Sequence, residues 1–98
     1  MLVLGSEDFA ERCRLAVEGQ ALVVSRDAAD ARHAATAWLP RVLVCTFAVY
    51  ASDPAEIQAT AVRVRARLVK LPDEDVPDQE LIEQLRGALG TSGVRGKV

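Results

Sequence analysis

A chain of 98 residues, half of them hydrophobic and 27% charged, makes one domain with enough apolar material for a core. This balance, with a mean hydropathy of +0.11, excludes a disordered chain and a membrane protein, and a net charge of −2 argues against a dedicated nucleic-acid binder. A domain this small buries a modest share of its surface, so marginal stability or support from a partner is expected.

No apolar run approaches the roughly 18 residues of a membrane span, and Met1 to Leu4 is too short for the apolar core of a secretion signal. A cytoplasmic location is therefore expected. Cys13 and Cys45 lie in apolar-periodic segments without C-x-x-C spacing, which reads as two reduced, buried thiols. Asparagine is absent, the basic residues are nearly all arginine, and alanine and valine dominate. That bias fits a GC-rich genome, such as that of an actinobacterium or one of its phages.

Leu2-Val3-Leu4 is a short buried strand that stops at Gly5-Ser6. Ser6 is a helix N-cap, and Glu7 and Asp8 suit the positive first turn. Phe9, Cys13, Ala16 and Val17 recur at helical spacing, Glu11, Arg12, Arg14 and Glu18 face away, and Gly19 is a natural stop. Ala21 to Val24 forms the second strand, and Ser25 or Asp27 caps the next helix. That helix presents Ala28, Ala31, Ala35, Trp38 and Leu39 and ends at Pro40. Its alanine face allows close approach to the sheet, with Trp38 as the expected packing anchor.

Val42 to Tyr50 is the strongest strand signal, a continuous apolar run suited to a parallel strand covered on both faces. Asp53-Pro54-Ala55-Glu56 combines a cap, proline at N1 and glutamate at N3, which opens a helix. Residues 61–65 fit two periodicities. Ile57, Ala61, Val64 and Leu68 suit a helix, whereas Val62, Val64, Ala66 and Leu68 alternate with Arg63, Arg65 and Arg67 as in a strand. The preferred division is a helix to about Val64 and a strand from Ala66 to Leu71; the rival is one long strand from Ala61. Pro72 to Asp78 is an acidic loop, and Asp75 or Asp78 caps a last helix carrying Leu81, Ile82, Leu85 and Leu89, with Gly90 as its end. The domain is thus expected over residues 1–90, followed by a flexible tail at 91–98.

The order βαβαβαβα predicts an α/β fold: a four-stranded parallel sheet with right-handed crossovers and helices on both faces. Ligands of open parallel sheets bind outside the carboxyl ends of the strands. Those ends carry Gly5-Ser6-Glu7-Asp8, Ser25-Arg26-Asp27, Cys45-Thr46 and Lys70. Ser6, Glu7, Asp8, Ser25, Thr46 and Lys70 are the candidate ligand-binding residues, since hydroxyls, carboxylates and an amine meet where helix N-termini offer N–H groups to an anion. The competing account makes the same serines and acids helix caps and Lys70 a solvated charge.

No G-x-x-x-x-G-K-[ST] and no G-x-G-x-x-G follows a strand. His33, the single histidine, lies in an alanine-rich helix, and without a second histidine or a cysteine pair no metal site is expected. Cys45 has no evident activating base. No catalytic residue and no cofactor is assigned. Arg63, Arg65, Arg67 and Lys70 form the one basic cluster; on a strand they would line one face and meet phosphates or an acidic partner, and on a helix they would scatter.

The layout resembles a reduced response-regulator receiver domain, flavodoxin-like in fold. Three segments carry the resemblance: the strand leading to acids, Leu2 to Asp8; Leu39-Pro40-Arg41-Val42-Leu43-Val44-Cys45-Thr46, placed like the strand that ends in the family's phosphoacceptor aspartate; and Arg67-Leu68-Val69-Lys70-Leu71-Pro72 with its acidic loop and amphipathic helix, similar to the family's final strand, lysine and proline. The chain departs from the family pattern at each point. Thr46 stands at the aspartate position and cannot form an acyl phosphate. Glu7 and Asp8 fall one or two residues late for the magnesium-holding pair, Leu71 intervenes before the proline, and one strand–helix unit is missing with its hydroxyl residue. The resemblance implies a degenerate receiver without phosphotransfer.

The resulting expectation is a non-enzymatic interaction or regulatory module that binds a protein partner or itself as a homodimer. Glu83 and Arg86, outward on the last helix, and Arg63, Arg65 and Arg67 are the candidate interaction residues. A small phosphate- or nucleotide-binding domain is the alternative, and nucleic-acid binding through the arginines ranks third.

Overall fold

The computed structural model describes residues 1–17, 22–25 and 27–94. In chain order the elements are β1 (Leu2–Leu4), α1 (Glu7–Ala16), β2 (Val23–Ser25), α2 (Ala28–Trp38), β3 (Val42–Thr46), α3 (Phe47–Ser52), α4 (Pro54–Val64), β4 (Arg67–Leu71) and α5 (Asp78–Val94). All four strands are parallel, in the order β2-β1-β3-β4, as the alternation of strands and helices predicts. The fold is α/β of flavodoxin-like type.

Strand alternation sorts the core into two layers. Val3, Val42, Val44, Val69 and Leu71 point to one face, where Phe9 and Cys13 of α1 and Leu81 and Leu85 of α5 cover them. Leu2, Leu4, Leu43 and Cys45 point to the other, against Ala31 and Ala35 of α2 and Ile57 of α4. The two thiols therefore lie on opposite faces of the sheet and are both free and buried.

The caps explain the helix starts. Ser6 Oγ accepts from the Phe9 N–H at 3.1 Å, Asp27 rather than Ser25 accepts from the Asp30 N–H at 2.9 Å, and Asp53 accepts from the Glu56 N–H at 3.3 Å ahead of Pro54. Asp78, an expected cap, is instead the first residue of α5, whose Leu81 N–H donates to Pro77 O.

Four expectations change. The strand that begins at Val42 ends at Thr46, and residues 47–50 turn into α3 because the Thr46 hydroxyl accepts from the Val49 N–H at 3.3 Å. The apolar run alone could not reveal that a threonine inside it acts as a cap. Trp38 is not the packing anchor of α2: it is 64% exposed, because Ala31 and Ala35 bring the helix so close to the sheet that the core is closed without it. Gly90 does not end α5, which continues to Val94; residues 95–98 lie outside the described residues, as does the expected stop Gly19. The element order also gains a helix, α3, between β3 and α4.

The division at residues 61–65 follows the preferred reading. Arg65 adopts a left-handed conformation (φ 59°), its N–H donates to Val62 O, and the Ala66 N–H donates to Ala61 O. This pair of bonds satisfies the last carbonyls of α4 and redirects the chain into β4 without a glycine.

Thr60, 2% exposed on α4, keeps a hydroxyl with no hydrogen-bond partner among the described residues. Burying an unpaired hydroxyl opposes folding, so Thr60→Val is expected to stabilise the domain by about 1 kcal/mol. A urea titration should show a higher midpoint at unchanged slope.

Candidate functional site

The strand order reverses between β1 and β3, so the crevice at their carboxyl ends is where this fold offers a ligand site. Gly5 and Ser6 form one wall and Thr46 begins the other. From the loop between β4 and α5, Glu74 reaches the N-terminus of α1, where its carboxylate accepts from Ser6 Oγ at 2.6 Å and from the Ser6 N–H at 3.2 Å. An internal carboxylate thus sits where the helix N–H groups would meet an anion. A Cβ on Gly5 would lie 2.8 Å from Glu74 Oε2 and 3.0 Å from the Phe9 ring, so only glycine admits this approach.

Arg12 holds the same loop from below. Its guanidinium donates to Glu74 O at 2.6 Å, to Val76 O, and to Asp78 Oδ1 at 2.6 Å. Val76 is buried beneath this clasp. The planar fork of arginine suits three acceptors spread over five residues.

The six candidate ligand-binding residues do not form a joint hydrogen-bonded site among the described residues. Ser6 is engaged by Glu74, and Thr46 is 5% exposed and caps α3. Ser25 is fully buried, its hydroxyl unpartnered. Lys70 lies with Nζ 4.3 Å from the centre of the Tyr50 ring, a cation–π contact at the rim. Glu7 and Asp8 are exposed in the first turn of α1. Arg26 lies outside the described residues. Among the described residues no group of His, Cys, Asp and Glu is placed to hold a metal ion.

Sequence reading missed Arg12 and Glu74. Arg12 was assigned to the solvent face of α1 and Glu74 to an undifferentiated acidic loop. Two arginines on α1, Arg12 and Arg14, and a run of acids at 73–75 are visible in the sequence, but spacing cannot report which arginine meets the loop 62 residues on.

The thiols are inert by position. Burial pushes Cys13 up to about 12, with Arg12 partly opposing and Glu74 reinforcing the shift, and pushes Cys45 up to about 11 against the pull of Lys70. A thiol whose pKa rises on folding favours the folded state while protonated. That contribution is complete below the ordinary value of 9.0 and is lost as pH climbs through about 11 and 12. Alkaline titration should therefore lower the melting temperature above pH 9. A disulfide-exchange reagent at about pH 8 should label neither thiol in the native state and both in urea.

The expected interaction residues divide. Leu81 and Leu85 of α5 are core residues, whereas Glu83 and Arg86 face solvent. Arg63 lies on α4, Arg65 at its left-handed end and Arg67 at the start of β4, so the three do not line one strand face. Arg65 and Arg67 instead join Arg41 and Leu89 around a shallow depression at the amino edge of the sheet. Beside it opens a cleft of about 230 Å³ whose lining includes Met1, Val23, Trp38, Leu39, Pro40 and Arg41. Among the described residues no helix is long and apolar enough to cross a membrane.

No protein-family model, curated protein or solved structure matches the chain.

Proposed function

We propose that this domain is a non-enzymatic protein-interaction or regulatory module of receiver-like fold, acting in the cytoplasm. The observation that carries the reading is the bonding of Glu74 to Ser6, which commits the N-terminus of α1 to an intrachain carboxylate. Thr46, at the position that resembles the receiver phosphoacceptor, is buried and used as a helix cap. Both facts favour a domain that works through its outer surface. The strand order β2-β1-β3-β4, with α1 and α5 sharing one face, supports kinship with a receiver shortened by one unit. Large apolar side chains left at the surface, Trp38 at 64%, Leu39 at 66% and Phe47 at 53% exposure, supply contact area for a partner.

The rival is a phosphate or nucleotide site at the carboxyl edge, which the unpartnered Ser25 hydroxyl and the rim position of Lys70 favour. Thermal melting with ATP, GTP and inorganic phosphate at millimolar concentration separates the two. The interaction reading expects no shift. A rise of several degrees, abolished by Lys70→Ala, would transfer the assignment to the small-ligand site.

A further inference from the structure

We propose that copies of this domain associate head to tail, the basic, tryptophan-bearing amino edge of one copy docking on the acidic carboxyl edge of the next. This rests on the reading of the domain as an interaction module and names its partner as a second copy of the chain.

The amino edge combines a cleft with positive charge. Trp38 and Leu39 stand exposed at its mouth, with Arg41, Arg65 and Arg67 beside them. The ion pairs among the described residues are Arg12–Asp78, Arg14–Glu11 and Arg32–Glu56, and none of the three arginines takes part in them. The carboxyl edge has the opposite character. Glu7, Asp8, Asp73 and Asp75 are exposed there, and Phe47, which follows β3 at the same edge, is 53% exposed. Of the cations at that edge, Lys70 is held over Tyr50 and Arg12 is bonded to the β4–α5 loop and paired with Asp78.

Helix dipoles account for part of this asymmetry: Glu7 and Asp8 answer the first turn of α1, and Arg65 the last turn of α4. They do not account for the rest. Arg41 precedes β3, Arg67 begins β4, and Asp73 and Asp75 lie in a loop. Nor do they explain an aromatic side chain exposed at each end. An exposed aromatic ring at each edge, with arginines beside one and carboxylates at the other, makes the two edges complementary in charge.

The signs also choose the symmetry. Two copies meeting through the same edge would oppose arginine to arginine or aspartate to aspartate, which like-charge repulsion disfavours. The attractive pairing joins unlike edges. Such a heterologous contact leaves one free edge at each end and adds further copies unless the rotation closes a ring.

Sedimentation velocity tests this on the whole chain, from about 1 μM to 1 mM in low salt, where exposed charges are least screened. The average mass is expected to rise past that of a dimer, and the affinity to weaken at least tenfold, on the order of the loss for several screened charge pairs, when salt is raised tenfold. Two surface variants cut the contact from either side: Trp38→Ala with Arg41→Ala disables the amino edge, and Phe47→Ala with Asp75→Ala disables the carboxyl edge. Each alone should remain monomeric, with unchanged far-ultraviolet circular dichroism. Their equimolar mixture should form a discrete dimer, because each supplies the edge the other lacks. Trp38 is the single tryptophan, so the wild-type emission should move to the blue with concentration and return in high salt.

A wild-type chain that stays monomeric throughout, a plateau at a salt-insensitive dimer, or a mixture of variants that fails to pair although both are folded would overturn the proposal. A monomer without a nucleotide-induced thermal shift would leave the interaction reading standing with an external partner. A monomer with such a shift would remove both.

Discussion

Phe9→Ala is expected to cost about 3–5 kcal/mol, the usual penalty for truncating a fully buried aromatic side chain. Phe9 is 1% exposed and lies between α1, the sheet and α5, in the layer that includes Val3, Leu81 and Leu85. Its ring also approaches Gly5, so the cavity would open directly beneath the Glu74 contact. Domains of this size hold only about 5–15 kcal/mol in total, and each kcal/mol moves the midpoint by about 4–8 °C. Calorimetry should show a drop of about 15 °C or more by that relation, or no cooperative transition at all. Phe9→Leu, which keeps most of the apolar volume, should lose much less. A change below about 1 kcal/mol for the alanine variant, the range of surface substitutions, would mean that the ring is not packed as described.

Arg12→Ala is the second large effect, expected at about 2–3 kcal/mol. The ion pair with Asp78 contributes little of this, because that carboxylate is 84% exposed and well solvated. The loss comes from the part-buried carbonyls of Glu74 and Val76, which would give up charge-assisted bonds that water replaces poorly at that depth. Arg12→Lys should recover only a minor part, since one ammonium cannot span the three acceptors. Hydrogen exchange locates the effect: the amides of residues 73–76 should lose protection in the variant while those of β3 keep theirs. Uniform loss across the sheet would show that Arg12 serves the fold as a whole rather than the loop. Asp78→Ala serves as control and should change stability by less than about 1 kcal/mol, the ceiling for an exposed pair.

The two cases divide what local sequence carries from what it omits. Phe9 was legible, because its spacing with Cys13, Ala16 and Val17 marks a buried helical face whatever lies opposite. The four strands, the parallel sheet, the caps at Ser6 and Asp53 and the turn from α4 into β4 were legible for the same reason: each depends on neighbours within a few residues; the choice of Asp27 over Ser25 as the cap of α2 came from the structure. Thr46 was misread because its cap lies inside an apolar run whose hydropathy continues to Tyr50. Trp38 was misread because size suggests an anchor, while the approach of α2 to the sheet is decided by the small residues Ala31 and Ala35.

Composition and periodicity by themselves determined that this chain is one α/β domain with a parallel sheet, and that polar groups would gather at its carboxyl edge. Tertiary structure alone decided that at this edge Glu74 bonds Ser6 and Arg12 holds the loop that carries it, and that Trp38, Leu39 and three arginines meet at the opposite edge. The reason is one of range. Hydrophobic periodicity and capping are set by atoms a few residues apart, whereas a site is made by side chains some 60 residues apart in the chain, brought together only when the sheet assembles.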